Sequence, residues 1–268
     1  MDSKNSNLDF LWRLGGGGNV WLSARWRGRN DEPLIPIMNE IHLIGGEKGG
    51  VGKSVVARVV AQYLIDKHIP FLGFDTDRSH GSLGRFYADY AAPVVVDNYE
   101  SLDAMVEAAV AQPDKRVLVD LAAQSHEPLV KWMDDSGVLE AEEELQVSFC
   151  YWHVMDAGRD SVDLLKKLLD RFGVRLNYVL VLNQLRGDDF TIFNASSERD
   201  RALALYAQII LLKRLSETVM NRIDAASLSF WAALNRSGPE VKGLGLLERQ
   251  RVKQWLRHAY EQLDLVGF

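Results

Sequence analysis

The residues with the clearest chemical potential are contiguous: Glu47-Lys48-Gly49-Gly50-Val51-Gly52-Lys53-Ser54. They follow the apolar run Ile41-His42-Leu43-Ile44 and open a helical pattern, the context that a phosphate-binding loop requires. Glycine backbones at 49, 50 and 52 let amide N–H groups turn inward onto phosphate oxygens, and the start of the helix adds its dipole. Lys53 is then placed to reach β- and γ-phosphates, and the Ser54 hydroxyl to ligate Mg2+. Two acidic positions suit the same chemistry. Val117-Leu118-Val119-Asp120 puts a carboxylate at the end of a strand run, where it holds Mg2+ directly or through water; a helix cap is the plainer reading. Phe74-Asp75-Thr76-Asp77 ends another run with two acids one residue apart. Phosphoryl transfer needs charge neutralisation and an oriented water, whereas a loop cap needs neither. Asn183 follows Tyr178-Val179-Leu180-Val181-Leu182. Its amide supplies donor and acceptor together, or it is a turn residue. Glu47 stands where such loops usually begin with glycine, and a carboxylate there opposes phosphate unless it points away.

These residues need elements to position them, and the pattern supplies them from Met38 onward. Apolar runs predict strands at 41–44, 71–74, 94–96, 117–119, 147–151, 178–182 and 208–212. Helical periodicity predicts helices over 54–67, 101–111 with Ser101 as cap, 129–133, 160–172 and 197–206, and mostly helix after about 216. Strands separated by helices imply an α/β fold: a mainly parallel twisted sheet with helices on both faces. Ligands in such sheets bind beyond the carboxyl ends of the strands. Gly46, Asp75, Asp120 and Asn183 are predicted to lie there.

The 268 residues carry 31 Lys+Arg against 37 Asp+Glu, a net charge of −6 that argues against coating nucleic acid through bulk charge. A hydrophobic fraction of 47% with 25% charged residues is a globular composition and excludes a disordered chain. Cys150 is the single cysteine, so an intramolecular disulfide, a paired-thiol metal site and a bridging iron–sulfur cluster are all excluded. The chain reads as cytoplasmic, with no apolar run long enough to span a membrane. The histidines His42, His68, His80, His126, His153 and His258 show no paired metal spacing. Residues 1–37 hold a four-glycine run, scattered tryptophans and Arg25, Arg27 and Arg29. They read either as a flexible N-terminal extension or as the product of a mis-assigned start, with translation beginning at Met38. Residues 38–268 form the phosphate-loop domain with its C-terminal helices.

Lys48-Gly49-Gly50-Val51-Gly52-Lys53-Ser54 is the deviant Walker A pattern, and over roughly residues 38–235 the chain resembles the MinD/ParA family of P-loop ATPases. The resemblance implies an ATP- and Mg2+-dependent homodimer in which Lys48 reaches the partner's phosphates. It also implies that Asp75 lies near the Mg2+ shell, that Asp77 positions the attacking water, and that Asn183 meets the adenine edge. Both switch segments depart from the family pattern: Arg78-Ser79-His80-Gly81 follows the first acids, and Leu121-Ala122-Ala123-Gln124 follows Asp120. Asn183-Gln184-Leu185-Arg186 lacks the Asn-Lys-x-Asp of GTP-binding relatives, which favours ATP.

The order of elements after residue 207 and the ending Glu248-Arg249-Gln250-Arg251-Val252-Lys253 resemble TraL-type proteins, the MinD/ParA-like ATPases of conjugative and mobilisable plasmids. That implies a role in DNA transfer, partition or positioning through a protein partner such as a relaxase, a centromere-binding or a positioning protein. In the last helix Leu247, Val252, Trp255, Leu256, Ala259 and Leu263 share a side, with Arg249, Arg251, Lys253 and Arg257 among the rest. This predicts packing on the domain rather than membrane binding. Direct DNA contact through Lys213, Arg214 and Arg222 is a further option. Two other readings stay open: an ATP-dependent ligase of the cobyrinate amidase or dethiobiotin synthetase type, and a nucleotide-binding adaptor that hardly hydrolyses.

Overall fold

The computed structural model describes residues 39–77, 81–236 and 243–268. The expectations for residues 1–37, for Met38 and for Arg78-Ser79-His80 fall outside the described residues.

Strands and helices alternate along the chain. The order is β1 (Asn39–Gly45), α1 (Lys53–Asp66), β2 (Phe71–Asp75), α2 (Ser82–Phe86), β3 (Ala91–Pro93), α3 (Tyr99–Ala111), β4 (Arg116–Asp120), α4 (His126–Ser136), α5 (Glu142–Leu145) and β5 (Val147–Met155). It continues with α6 (Arg159–Phe172), β6 (Asn177–Asn183), α7 (Thr191–Asn194), α8 (Ser197–Ala204), β7 (Gln208–Leu212), α9 (Glu217–Ala225), α10 (Phe230–Asn235) and α11 (Leu246–Val266). The seven strands form one sheet in the order β3-β2-β4-β1-β5-β6-β7, and every pairing is parallel. The α/β class with a parallel sheet is therefore as the residue pattern predicts.

Alternation along the strands divides the core. In β1, Ile41 and Leu43 point to one face and Ile44 to the other, as a two-residue period demands. The first face packs α3, α4 and α6 through Met105, Trp132 and Leu165; the second packs α1, α10 and α11 through Val60, Phe230 and Val252. β5 is buried along its whole length because helices cover both sides. It therefore runs to Met155, beyond the predicted end at 151. From β1 the chain crosses to β2 on one side, and from β5 it continues outward to β6 on the other. The gap between the carboxyl ends of β1 and β5 is thus the crevice where such sheets bind ligands.

Three local expectations are corrected. The strand foreseen at 94–96 is displaced to Ala91–Pro93: the Val94 N–H still donates to Asp75 O, but the Val95 N–H turns to Ser101 Oγ and the chain leaves the sheet edge. That uses the Ser101 hydroxyl, so Asn98 caps α3 instead, its side chain accepting from Ser101 N–H at 2.7 Å. In α11 the predicted apolar side does pack on the domain, except that Leu247 is 67% exposed in the first turn and Val266 completes the buried stripe. No described helix is long and apolar enough to cross a membrane.

Candidate nucleotide site

The loop between β1 and α1 is bent by left-handed glycines. Gly52 has φ +93 and serves as the cap residue of α1, and a Cβ there would fall 2.4 Å from Asn183 Nδ2. Lys53 opens the helix and is buried; its ammonium donates to Lys48 O at 3.3 Å. Burial lowers the Lys53 pKa, and the Asp120 charge counters it. Beneath the loop lies Tyr151 of β5, a residue to which no sequence signal pointed. Its hydroxyl accepts from the Gly46 N–H, and burial holds the phenol protonated.

On one flank stand the acids of β2 and β4. Asp75 and Asp120 are direct neighbours in the parallel register. Asp75 is fully engaged: Oδ1 accepts from Asp77 N–H and Oδ2 from Gly84 N–H, each at 3.0 Å. Asp120 is not. Its Oδ1 is buried without a hydrogen-bond partner, while the carboxylate accepts from the Ser54 hydroxyl. Burial first, and the Asp75 charge second, push its pKa up to about 7. A buried acid with an idle oxygen beside a hydroxyl is a hard oxygen donor set and fits Mg2+. Ser54 and Asp120 are the residues that could hold such an ion, with the Asp75 charge beside them. Thr76 ties the two strand ends together: its Oγ donates to Asp120 O and accepts from Ala122 N–H. Asp77 is half-buried next to this pair.

On the other flank stand the ends of β5 and β6. The Lys48 ammonium lies 3.0 Å from Asp156 Oδ2 and 3.5 Å from Asp160 Oδ2. The Asp156 hydrogen bond chiefly raises its pKa. Burial works against the Asp156 carboxylate, but hydrogen bonds from Ser161 at 2.7 Å, from Lys48 and from the Gly158 N–H outweigh it and keep the acid ionised. Asn183 braces the loop: Nδ2 donates to Val51 O at 2.8 Å and Oδ1 accepts from Leu185 N–H. Its amide is thus spent on the protein's own backbone here. Glu47 turns off the phosphate path to His126 at 3.5 Å, in a cleft of about 430 Å³ that Lys131, Lys167 and Arg171 also line.

Structure thus gathers Lys48, Gly49, Gly50, Val51, Gly52, Lys53, Ser54, Asp75, Asp77, Asp120 and Asn183 around one end of the sheet. It adds Tyr151 and Asp156, and gives contacts to Thr76 and Arg186, to none of which the sequence assigned a role; for Thr76, Asp156 and Arg186 a place shortly after a strand end was the only signal, and for Tyr151, inside β5, there was none. At the opposite end Glu40, His42 and Cys150 come within 4.8 Å of one another. They do not form a ligand set, because His42 Nδ1 accepts from Trp152 Nε1 and so leaves the ring proton on Nε2, 3.6 Å from Glu40. Of the suggested basic patch, Arg214 pairs with Glu217 and Arg222 with Glu248.

Sheet order, loop and acids define a P-loop α/β fold of the nucleotide-binding type carrying the deviant lysine at position 48. No protein-family model matches the chain. It is similar to MobD of Acidithiobacillus ferrooxidans, 25% identical over 228 residues that cover 84% of this chain and 96% of that one. It is likewise similar to TraL of Escherichia coli, 26% identical over 238 residues that cover 85% and 98%. The resemblance to TraL-type proteins thus runs through nearly the full length of those relatives. Among solved structures, the nucleotide-binding protein of Archaeoglobus fulgidus in complex with ADP aligns at a TM-score of 0.44 and 11% identity over 71% of this chain and 87% of that one. A plasmid partition protein of Borrelia burgdorferi bound to AMPPNP aligns at 0.42 and 14%, over 82% and 98%.

Proposed function

We propose that this chain is an ATP- and Mg2+-dependent dimeric switch that acts in plasmid DNA transfer, partition or positioning through a protein partner. The observation that carries the reading is Lys48. It sits at the rim of the phosphate loop, ionised and paired with two carboxylates. Ion pairs of this partly exposed kind are weak, so phosphate oxygens across a closed dimer compete for the ammonium at small cost.

The other side chains take roles that their surroundings suit. Lys53 and the backbone amides of 49–54 neutralise the β- and γ-phosphates. Ser54 and Asp120 hold Mg2+, which supplies charge neutralisation when bound. Asp75 shapes the loop after β2, so that Asp77 lies beside the metal-binding acids, where it orients a water for slow hydrolysis. Asn183 keeps Val51 in place and, by releasing that contact, can turn its amide to adenine. The α11 apolar stripe is used within the domain, which supports a protein partner over a membrane surface.

Light-scattering mass with ATP·Mg2+, with ADP·Mg2+ and without nucleotide tests the reading, with phosphate release followed in parallel. Doubling of mass with ATP alone supports the switch; a mass indifferent to nucleotide refutes it. Lys48→Ala is expected to bind ATP as a monomer. Under the ligase reading the same variant keeps its activity once the acid substrate is present.

A further inference from the structure

A cation reaches the phosphate loop that none of the roles above uses. A Cβ added to Gly50 would lie 2.2 Å from Arg186 Nη2 and 3.2 Å from its Cζ. The guanidinium therefore lies across the bare α-carbon of Gly50, and the backbone there has φ +71. A side chain at position 50 would evict it. Among the described residues Arg186 has neither a carboxylate nor a carbonyl partner, unlike Lys48 and Arg171.

The chain before Arg186 is fastened to the same loop. Asn183 Nδ2 donates to Val51 O, and Leu185 N–H donates to Asn183 Oδ1. A Cβ on Gly52 would lie 3.3 Å from Leu185 Cδ2. Gln184 N–H is held by Leu212 O at 2.9 Å, so β7 fixes the turn from behind. The segment 183–186 thus tracks the loop backbone from 52 back to 50 and delivers a planar, permanently charged fork at its midpoint. It approaches from β6, on the opposite side of β1 from Asp75 and Asp120.

We propose that Arg186 is a nucleotide-binding residue that grips the α- and β-phosphate oxygens, the part common to ATP and ADP. The inference rests on the nucleotide reading above and adds a residue to it. Guanidinium is suited to the task because its fork matches a phosphate edge and it keeps its charge at any working pH. Its flank separates it from the metal-holding acids, so it contributes to holding the nucleotide and not to the γ-phosphate chemistry. Gly50 is then glycine for two reasons: the loop needs positive φ, and Arg186 needs the vacant face.

Titration of wild type, Arg186→Ala, Arg186→Lys and Lys53→Ala with fluorescent ATP and ADP, each with Mg2+, tests this. Arg186→Ala is expected to weaken ATP and ADP by the same factor, about tenfold, as loss of one charge-assisted contact implies. The KM for ATP rises by that factor. Arg186→Lys recovers part of the loss, to about threefold, because the charge remains while the fork is gone. The unliganded thermal midpoint stays near wild type, since the side chain is exposed. Unchanged affinity for both nucleotides in Arg186→Ala overturns the inference and leaves the nucleotide reading standing. Loss for ATP with ADP untouched also overturns it, by moving the side chain to the γ-phosphate. Failure of the wild-type chain to bind either nucleotide removes the nucleotide reading and this inference with it.

Discussion

The two flanks of the phosphate loop are built on different principles. On the β2/β4 flank, Asp120 is buried beside Asp75 with one oxygen unpartnered and a pKa pushed up to about 7 by burial and by its neighbour. On the β5/β6 flank, Asp156 is matched by Ser161, Gly158 and Lys48, and Asn183 by Val51 and Leu185. One flank keeps a buried acid with an oxygen unmatched by the protein. On the other the acid and the amide are matched and support the loop, and among its described residues the Arg186 guanidinium is the group left over. The unmatched groups, Asp120 on one flank and Arg186 on the other, are where the proposed Mg2+ and nucleotide contacts fall.

The largest effect that separates them is expected from Asp120→Asn. Hydrolysis should fall about a thousandfold, since the amide cannot hold Mg2+ as a carboxylate does. The unliganded fold should instead gain on the order of 1 kcal/mol at pH 8, because the buried charge next to Asp75 is removed. A urea midpoint that drops would contradict the assignment of strain to this flank.

Acid should strike through buried histidine. His153 is held near a pKa of about 4, chiefly by burial, with its Nε2 on Ser161 O. Folded pKa below the unfolded value of 6.5 means that the unfolded chain binds more protons between the two. The stabilisation is full above pH 6.5 and is lost as pH falls through 4, on the order of 3 kcal/mol for this one residue. Denaturant titrations at pH 7.5 and 4.5 read it directly. His153→Gln should remove about half of the acid loss, with His42, also near 4, supplying the rest. An unchanged pH slope would locate the acid sensitivity elsewhere.

Smaller losses follow on the completed flank. Asp156→Ala should cost about 2 kcal/mol of stability, because it strips partners from Ser161 and from the Gly158 amide. Thermal unfolding checks this, and a neutral result would mean that water substitutes fully. Glu47→Gly should matter least: its pair with His126 is partly exposed, so stability should shift by under about 1 kcal/mol. Nucleotide affinity should change by less than about threefold, because the carboxylate already points away from the loop. A tenfold gain would show that it opposes phosphate after all.

How much of this was legible in the residues can be argued position by position. The helix predicted at 54–67 is α1 at Lys53–Asp66, because Val56, Val59, Val60, Tyr63 and Leu64 repeat at helical spacing and Gly52 marks the start. The strand predicted at 208–212 is β7. Three valines at 94–96 misled because β-branched residues favour strands wherever they stand, whereas the edge they would extend had already turned to Ser101. Loop residues 47–54 are contiguous and so carry their meaning in order and type. Asp156 meets Lys48 across 108 residues, and Arg186 meets Gly50 from another strand; neither has a neighbour in sequence that announces it.

Sequence by itself determined the α/β class, the phosphate loop and the strand-terminal acids, since periodicity and contiguous motifs are local properties that survive in a linear chain. Only the tertiary structure decided what each charge touches. Parallel register brought Asp75 beside Asp120, and the sheet order put β5 and β6 on the far side of β1, so that Asp156, Asn183 and Arg186 converge on the loop from there. The physical reason is that electrostatic partnership and desolvation depend on distance through space, and the sheet's strand order, absent from any single segment, sets those distances.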